Sequence, residues 1–223
     1  ALPVALYWCM RSREDASPQR SGPHLERASH GAAHKRAALY AGLAWGLAVG
    51  FRIHLAPAAL VAMIYTCRVD TKRWLPMLAG SGGVVLAFGL LDWATWDYPF
   101  QSFYLNFYVN VVKGKAAWFG VSPWYEYIAS LAQVWQWSAI PLLVLAFGTL
   151  RRWPILPLTA GTIFVVHSAI SHKEYRFLVP FLVIVVMAAG IGLARLMQTR
   201  RAMGILAAVA FAAASFDGMN ARR

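Results

Sequence analysis

The sequence predicts an all-α polytopic membrane protein, and three observations carry that prediction. Hydrophobic residues make up 59% of the 223 residues, whereas charged residues make up only 13%, which is too apolar for a soluble domain of this size. Basic residues gather in short clusters between apolar runs, as topology signals do. Six apolar segments recur along the chain, at residues 38–66, 75–95, 134–150, 153–170, 177–194 and 202–216.

The first 37 residues are predicted to precede a membrane domain of residues 38–217, and residues 218–223 form a tail. Residues 1–10 are apolar but too short to span a bilayer, so we expect them to end a helix whose beginning is missing. Residues 11–37 carry six Arg or Lys residues and two prolines and are predicted to form a mobile basic cytoplasmic loop. The three histidines of that loop form no ligand-like arrangement with carboxylates or cysteines, so no metal site is expected.

The basic clusters orient the chain. Loops 11–37, 68–74, 151–152 and 195–201 hold fourteen of the 21 Lys and Arg residues and are expected on the cytoplasmic side. Because these cations form no single basic face, the net charge of +12 does not indicate nucleic-acid binding. The orientation places residues 96–133 and 171–176 on the opposite side of the membrane.

Residues 38–66 must then cross the membrane twice, because both flanks are cytoplasmic. A pair of short helices broken near Gly50 and Pro57 meets this demand and places Arg52 at depth on the non-cytoplasmic side. The alternative is one long tilted helix in which Arg52 pairs with a carboxylate of a neighbouring helix.

The aromatic loop, residues 96–133, is predicted to lie along the membrane interface, where Trp and Tyr keep a polar tip in water. Phe103, Phe107 and Val111 recur every four residues, which suits an amphipathic helix in the membrane plane. Gly120 and Pro123 are expected to break it before a second short helix.

Two carboxylates flank the point where this loop leaves the membrane. Asp92 and Asp97 are candidates for binding a sugar hydroxyl or accepting a proton. Each also has a structural interpretation, since Asp97 could cap the following helix and Asp92 could form an ion pair with Arg52. Asn106 and Asn110, four residues apart, suit contacts to hydroxyls or to each other.

The charged motif, residues 171–176, separates two apolar segments. His172, Lys173 and Arg176 supply hydrogen-bond donors, and Glu174 can orient one of them. Such a set suits a phosphate, because Arg binds oxyanions in a fork and Lys supplies a point charge. A lipid-linked phosphate would arrive at this depth. The alternative is that Lys and Arg only anchor a helix end at the interface.

The run His172-Lys173-Glu174-x-Arg176-Phe177 resembles the HKExRF signature of glycosyltransferase family 22, the mannosyltransferases that build lipid-linked oligosaccharides and glycosylphosphatidylinositol anchors. Two further stretches are similar to family segments: the G-x-x-P-W-x-x-Y run at residues 120–127, preceded by asparagines, and the glycine-rich helix with one arginine at residues 46–52. The resemblance covers about residues 38–196.

The resemblance implies a GT-C-like helical bundle and a polyprenyl-phosphate sugar donor, typically dolichyl-phosphate mannose, with a glycan acceptor. It implies inversion at the anomeric carbon without a metal or another cofactor. It also implies that His172, Lys173, Glu174 and Arg176 form the donor-phosphate region, with Arg52 as a second cation. The family's acidic catalytic loop has no counterpart near the N-terminus, so we expect the base outside this chain, with Asp92 and Asp97 as the candidates within it.

Two other classes of protein stay open on the sequence. A transporter or flippase of an anionic lipid would place Arg52 and the charged motif in a midplane site, and a non-catalytic membrane subunit would also lack the acidic loop. A multi-pass location is expected, in the endoplasmic reticulum membrane for a eukaryotic source. The many alanines and arginines favour a bacterial source, hence an inner membrane.

Overall fold

A computed structural model describes residues 1–14 and 24–220 of the chain. Residues 15–23 of the predicted basic loop and residues 221–223 of the predicted tail therefore lie outside the described residues. Every regular element within the described residues is helical, which confirms the predicted all-α fold. The chain divides into two compact units, Ala1–Phe119 and Gly120–Arg223.

Within its described residues, the first unit contains five α-helices. They are α1 (Leu2–Glu14), α2 (His24–Phe51), α3 (Ala56–Cys67), α4 (Thr71–Thr95) and α5 (Gln101–Phe107). A 3-10 turn at Ile53–Leu55 separates α2 from α3, and a π-helical turn at Tyr108–Val112 and a 3-10 helix at Lys115–Phe119 follow α5.

The long helix α2 begins earlier than the sequence analysis predicts. Residues 24–37 were predicted to belong to a mobile loop, yet they form the first half of α2. Alanine and other strong helix formers dominate this stretch, and both prolines of the predicted loop lie before residue 24, so nothing in it interrupts a helix. The charge of the segment indicated a polar surface and was wrongly interpreted as a loop.

Helices α2 and α4 approach each other through glycines. A side-chain carbon added at Gly42 would lie 2.1 Å from the Met77 carbonyl oxygen, and one at Gly50 would lie 2.2 Å from the Phe88 ring. Gly80 on α4 makes the reciprocal approach to α2. Small residues spaced four apart let two backbones pack closely, as in membrane helix pairs. Trp45, which is 1% exposed, lies in the core of this unit.

In the part of the second unit that the structure describes, up to residue 220, there are five more α-helices. They are α6 (Glu126–Trp135), α7 (Ala139–Phe147), α8 (Ile155–Ala169), α9 (Val179–Thr199) and α10 (Arg201–Asn220). Leu142 and Leu145 of α7 pack against Val185 and Ala189 of α9. The backbone of α7 also comes close to Gly192, where an added side-chain carbon would lie 2.1 Å from the Leu145 carbonyl oxygen.

Three helical stretches among the described residues are long and apolar enough to cross a membrane, judged by length and composition. They are Thr71–Thr95, Glu126–Phe147 and Tyr175–Thr199. The last has the highest mean hydropathy, 2.7, and the charged motif leads directly into it. The fold and its composition thus define an all-α membrane protein.

Candidate functional site

The charged motif is a short connection between α8 and α9 that contains no α-helical residue. Helix α8 ends at Ala169 because Ile170 is extended, with ψ 132°. Glu174 is also extended, and residues Tyr175–Leu178 form a single 3-10 turn. Pro180 lies in the first turn of α9, where a missing N–H breaks no hydrogen bond. The polar side chains of the motif therefore emerge at the N-terminal mouth of an apolar helix.

The Glu174 carboxylate joins two cationic side chains of the motif. A terminal nitrogen of the Arg176 guanidinium donates to Glu174 Oε1 over 3.0 Å, and Arg176 Nε pairs with the other carboxylate oxygen. His172 Nε2 lies 3.0 Å from the same Oε1. The side chain of His172 is only 12% exposed, whereas that of Arg176 is 69% exposed. Glu174 thus fixes a shielded imidazole and orients an accessible guanidinium.

Residues 120–127 form hydrogen bonds to the charged motif and hold it in place. The Ser122 backbone N–H donates to the Ser171 carbonyl oxygen over 2.9 Å. The Tyr127 hydroxyl donates to the Glu174 carbonyl oxygen over 3.2 Å, and Tyr127 is 2% exposed. His172 Nδ1 lies 3.0 Å from the Gly120 carbonyl oxygen. Three hydrogen bonds therefore connect two segments that lie far apart in the sequence.

Lys173 has a different environment from the other two basic residues of the motif. Its ammonium group donates to the Ser168 carbonyl oxygen over 3.0 Å and to that of Ile170, at the C-terminal end of α8, where helix carbonyls attract a cation. It also lies 5.7 Å from the centre of the Tyr127 ring. Lys173 therefore caps α8, and its role toward a donor phosphate stays a prediction.

The electrostatics of the motif follow from these contacts. The Glu174 carboxylate and the Gly120 carbonyl hold the pKa of His172 above its ordinary value. The His172 ring, and after it Arg176, hold the pKa of the Glu174 carboxyl below its ordinary value. Each shift favours the charged form of the group. The pair is thus strongest between the two ordinary pKa values, and it weakens as the pH rises through the folded pKa of His172 or falls through that of Glu174.

Arg52 lies in the first unit, at the end of α2. Its backbone leaves the helical conformation, with φ −146° and ψ 89°, and a 3-10 turn follows before α3. The Arg52 carbonyl oxygen accepts from the Leu55 N–H over 2.9 Å, and the residue is exposed. Residues 38–66 are therefore two helices with an arginine between them, and not one long helix. The predicted role of Arg52 as a second cation stays a prediction.

The structure gives Asp92 the helix-capping role that was predicted for Asp97. Asp92, which is 9% exposed, accepts through Oδ2 from the Ser102 backbone N–H over 2.9 Å and from the Ser102 hydroxyl over 2.6 Å. It thus satisfies the start of α5, which the sequence analysis assigned to Asp97. The Asp97 backbone N–H instead donates to the Gln101 side chain over 2.8 Å. Neither candidate is placed in the catalytic machinery by these contacts.

The two asparagines of the aromatic loop bond each other. Asn110 Nδ2 donates to Asn106 Oδ1 over 3.0 Å, which is one of the two alternatives left open by the sequence. The rings of Tyr104 and Tyr108 stack alongside, 5.9 Å apart and 9° from parallel. Neighbouring apolar side chains point outward, since Phe107 is 56% and Val111 64% exposed.

Sequence analysis missed the supporting residues of the charged motif. Gly120, Ser122 and Tyr127 all hydrogen-bond to it, yet none was predicted as a site residue. The signal was present in the G-x-x-P-W-x-x-Y run at residues 120–127, which was noted for resemblance alone. Spacing in the chain gave no reason to place this run against residues 171–174, because the contacts span about fifty residues.

Comparison with known proteins carries the assignment from the class of protein to the family. The class is a helical membrane protein with a charged cluster at the mouth of an apolar helix. The model of the Alg9-like mannosyltransferase family matches residues 7–218, so this chain belongs to that family. This confirms the resemblance found in the sequence, and the helical architecture agrees with the GT-C class.

Curated relatives match part of the chain and a smaller part of themselves. GPI alpha-1,2-mannosyltransferase 3 of Mus musculus is 33% identical over 100 residues, 44% of this chain and 18% of that protein. The protein of the same name in Danio rerio is 29% identical over 138 residues, 60% of this chain and 25% of that protein. These alignments thus span a quarter or less of the relatives' length. No solved structure matches the chain.

Proposed function

We propose that this chain belongs to a membrane mannosyltransferase that takes mannose from a polyprenyl-phosphate donor, of the dolichyl-phosphate mannose type, and transfers it to a lipid-linked glycan. Membership of the Alg9-like mannosyltransferase family supports the sugar and the reaction. The names of the curated relatives support a glycolipid acceptor and an α-1,2 linkage. A bacterial inner membrane and a eukaryotic endoplasmic reticulum membrane both accommodate this reaction.

The observation that carries the proposal is the cluster of His172, Glu174 and Arg176 at the mouth of α9. A phosphate carried by a lipid has its charged head near the membrane interface and its tail among apolar helices. A guanidinium that is oriented by a carboxylate and is 69% exposed suits such a head group. The shielded imidazole of His172 beside it adds to the positive electrostatic potential at the site.

The chemistry requires little more from the protein than positioned charges. The acceptor hydroxyl oxygen attacks the anomeric carbon of mannose, and the bond from that carbon to the phosphate oxygen breaks with its electron pair. The leaving lipid phosphate gains one negative charge, which Arg176 and His172 stabilise in this proposal. A carboxylate base takes the proton of the acceptor hydroxyl. The proposal assigns no residue to that base, because Asp92 is bound to Ser102 at the start of α5.

The test is transfer of radiolabelled mannose from dolichyl-phosphate mannose to lipid-linked acceptors. The assay uses membranes of cells that express the full reading frame to which this chain belongs. We expect Arg176→Gln to lower transfer by at least tenfold, since it removes a charged hydrogen bond of about 1.5–3 kcal/mol to the phosphate. Arg201→Gln is the matched control, because it removes one exposed arginine at the start of α10, away from the charged motif in the sequence. Equal activity of the two variants, or no mannose transfer by the unaltered protein, would overturn the proposal.

A further inference from the structure

The imidazole of His172 lies between two hydrogen-bond acceptors. On one side, Nδ1 is 3.0 Å from the carbonyl oxygen of Gly120. On the other side, Nε2 is 3.0 Å from Oε1 of Glu174. A backbone carbonyl cannot donate a hydrogen bond, and an ionised carboxylate cannot donate one either. Both ring nitrogens can therefore form these contacts only if each carries a hydrogen.

A neutral imidazole cannot meet that requirement, because it has one N–H and one lone pair. If its hydrogen were on Nδ1 for Gly120, the Nε2 lone pair would face a carboxylate oxygen. The remaining alternative is a protonated Glu174 that donates to Nε2. Arg176 argues against it, since the guanidinium contacts both carboxylate oxygens and thereby favours the ionised carboxylate.

We propose that the Gly120 carbonyl is a positioning group that holds His172 as a doubly protonated imidazolium, so that the charged motif presents two cations around one carboxylate. The cluster of His172, Glu174 and Arg176 then carries a net charge of +1, whereas a neutral imidazole would leave it at zero. That difference matters for a site that stabilises a lipid phosphate as it gains negative charge, and in this respect the inference rests on the proposed function.

The backbone at Gly120 explains how a carbonyl comes to face this ring. Its φ of +106° lies in a region that residues other than glycine rarely adopt. No atom lies within 4 Å of a side-chain carbon added there, so an alanine would alter the backbone without meeting a neighbour. The Ser122 to Ser171 hydrogen bond, 2.9 Å long, holds the same segment against the motif. Gly120 is thus required for its conformation and not for its size.

Two groups that face His172 favour its charged form, and their combined effect exceeds that of the groups that oppose it. Glu174 and the Gly120 carbonyl favour the imidazolium, and they outweigh the opposing effects of burial and of Arg176 on the pKa of His172. Phe177 presents its ring at 6.2 Å in an edge-on arrangement, and Lys173 is bound to the end of α8. Because the pKa of His172 is raised, the second proton is present at low pH and is lost as the pH rises through that pKa.

The direct test is NMR of ¹⁵N-histidine in the chain reconstituted in lipid nanodiscs, with His172→Gln used to assign the signal among the six histidines. We expect both ring nitrogens of His172 to carry a hydrogen and its titration midpoint to exceed about 6.5, the ordinary value for histidine. A midpoint at or below that value would overturn the inference, whatever the variants do. So would a spectrum, at a pH below the midpoint, in which one ring nitrogen of His172 carries a hydrogen and the other does not.

Two variants separate the two acceptors. Gly120→Ala moves the carbonyl and is expected to lower the midpoint, whereas Gly114→Ala is the matched control, because Gly114 also has a positive φ, +63°, and open space around it. Glu174→Gln leaves the backbone unaltered and is also expected to lower the midpoint. An unchanged midpoint in a folded Gly120→Ala variant would contradict the positioning role.

The titration needs no substrate, so it separates this inference from the proposed function. A raised midpoint in a protein that transfers no mannose would retain the imidazolium and refute the proposed function. Mannose transfer by a protein in which His172 is neutral would support the proposed function and refute the imidazolium. Where both hold, the pH profile of transfer should decline at high pH with the NMR midpoint, and Gly120→Ala should move both to lower pH.

Discussion

Tyr127 offers the sharpest test of how the charged motif is held. Its hydroxyl donates to the Glu174 carbonyl oxygen over 3.2 Å, and its ring lies 5.7 Å from the Lys173 ammonium group. The residue is 2% exposed, so the ring itself fills space beneath the motif. Tyr127→Phe removes the hydroxyl alone, whereas Tyr127→Ala removes the hydroxyl, the ring and the surface under Lys173.

The two substitutions differ in expected cost because they remove different contacts. Tyr127→Phe should cost about 0.5 kcal/mol, the lower end for a hydrogen bond, because the Phe177 N–H also donates to the Glu174 carbonyl oxygen over 3.0 Å and leaves it satisfied. Tyr127→Ala should cost about 3–5 kcal/mol for the lost ring, and about 0.5–1 kcal/mol more for the lost cation contact. A cost of about 3 kcal/mol corresponds to roughly a hundredfold increase in the open population of the motif.

Limited proteolysis measures that population directly, since trypsin cleaves after Lys173 and Arg176. We expect Tyr127→Ala to accelerate cleavage at these two sites by at least about a hundredfold in detergent, and Tyr127→Phe by about twofold. Tyr125→Ala is the matched control, because Tyr125 is 52% exposed and should lie within about 0.5 kcal/mol of the unaltered protein. Cleavage of Tyr127→Ala at the rate of Tyr125→Ala would refute the account of how the motif is held.

Two further predictions concern the first unit. Gly42→Ala should lower the thermal midpoint in detergent, with a cost of about 1–3 kcal/mol, because the added carbon would lie 2.1 Å from a carbonyl oxygen of α4; Gly82→Ala, with nothing within 4 Å, should leave it unchanged or raise it. Asp92→Ala should cost about 0.5–2 kcal/mol by the same assay, because it removes the hydrogen-bond acceptor at the start of α5. Asp97→Ala should cost less. If Asp97→Ala cost more than Asp92→Ala, the assignment of Asp92 as the cap would be wrong.

The apolar segments were predictable because membrane helices are encoded locally. Runs of apolar residues between basic clusters identified stretches that the structure places in α4, α8, α9 and α10. Glycine and proline near Arg52 indicated an interruption, and α2 ends at Phe51. These features depend on composition within one segment and need no information about its neighbours.

Features that join distant segments were not predictable in the same way. The sequence contains two aspartates before α5, and the sequence analysis assigned the cap to Asp97, the nearer of the two. Only the path of residues 96–101 decides that the Asp92 carboxylate reaches the Ser102 N–H, 2.9 Å away. Likewise, Lys173 and Arg176 look alike in the sequence, yet one caps α8 and the other pairs with Glu174.

The class of the protein and its charged motif could be recognised in the sequence, because hydropathy is a local property and the HKExRF run is contiguous. The partner of each polar side chain, in contrast, depends on the folded structure. The fold brought Gly120 and Tyr127 against residues 172–174, and it set two acceptors on the two nitrogens of His172. The physical reason is that hydrogen bonds require atoms within about 3 Å of each other, and that proximity depends on how the helices pack.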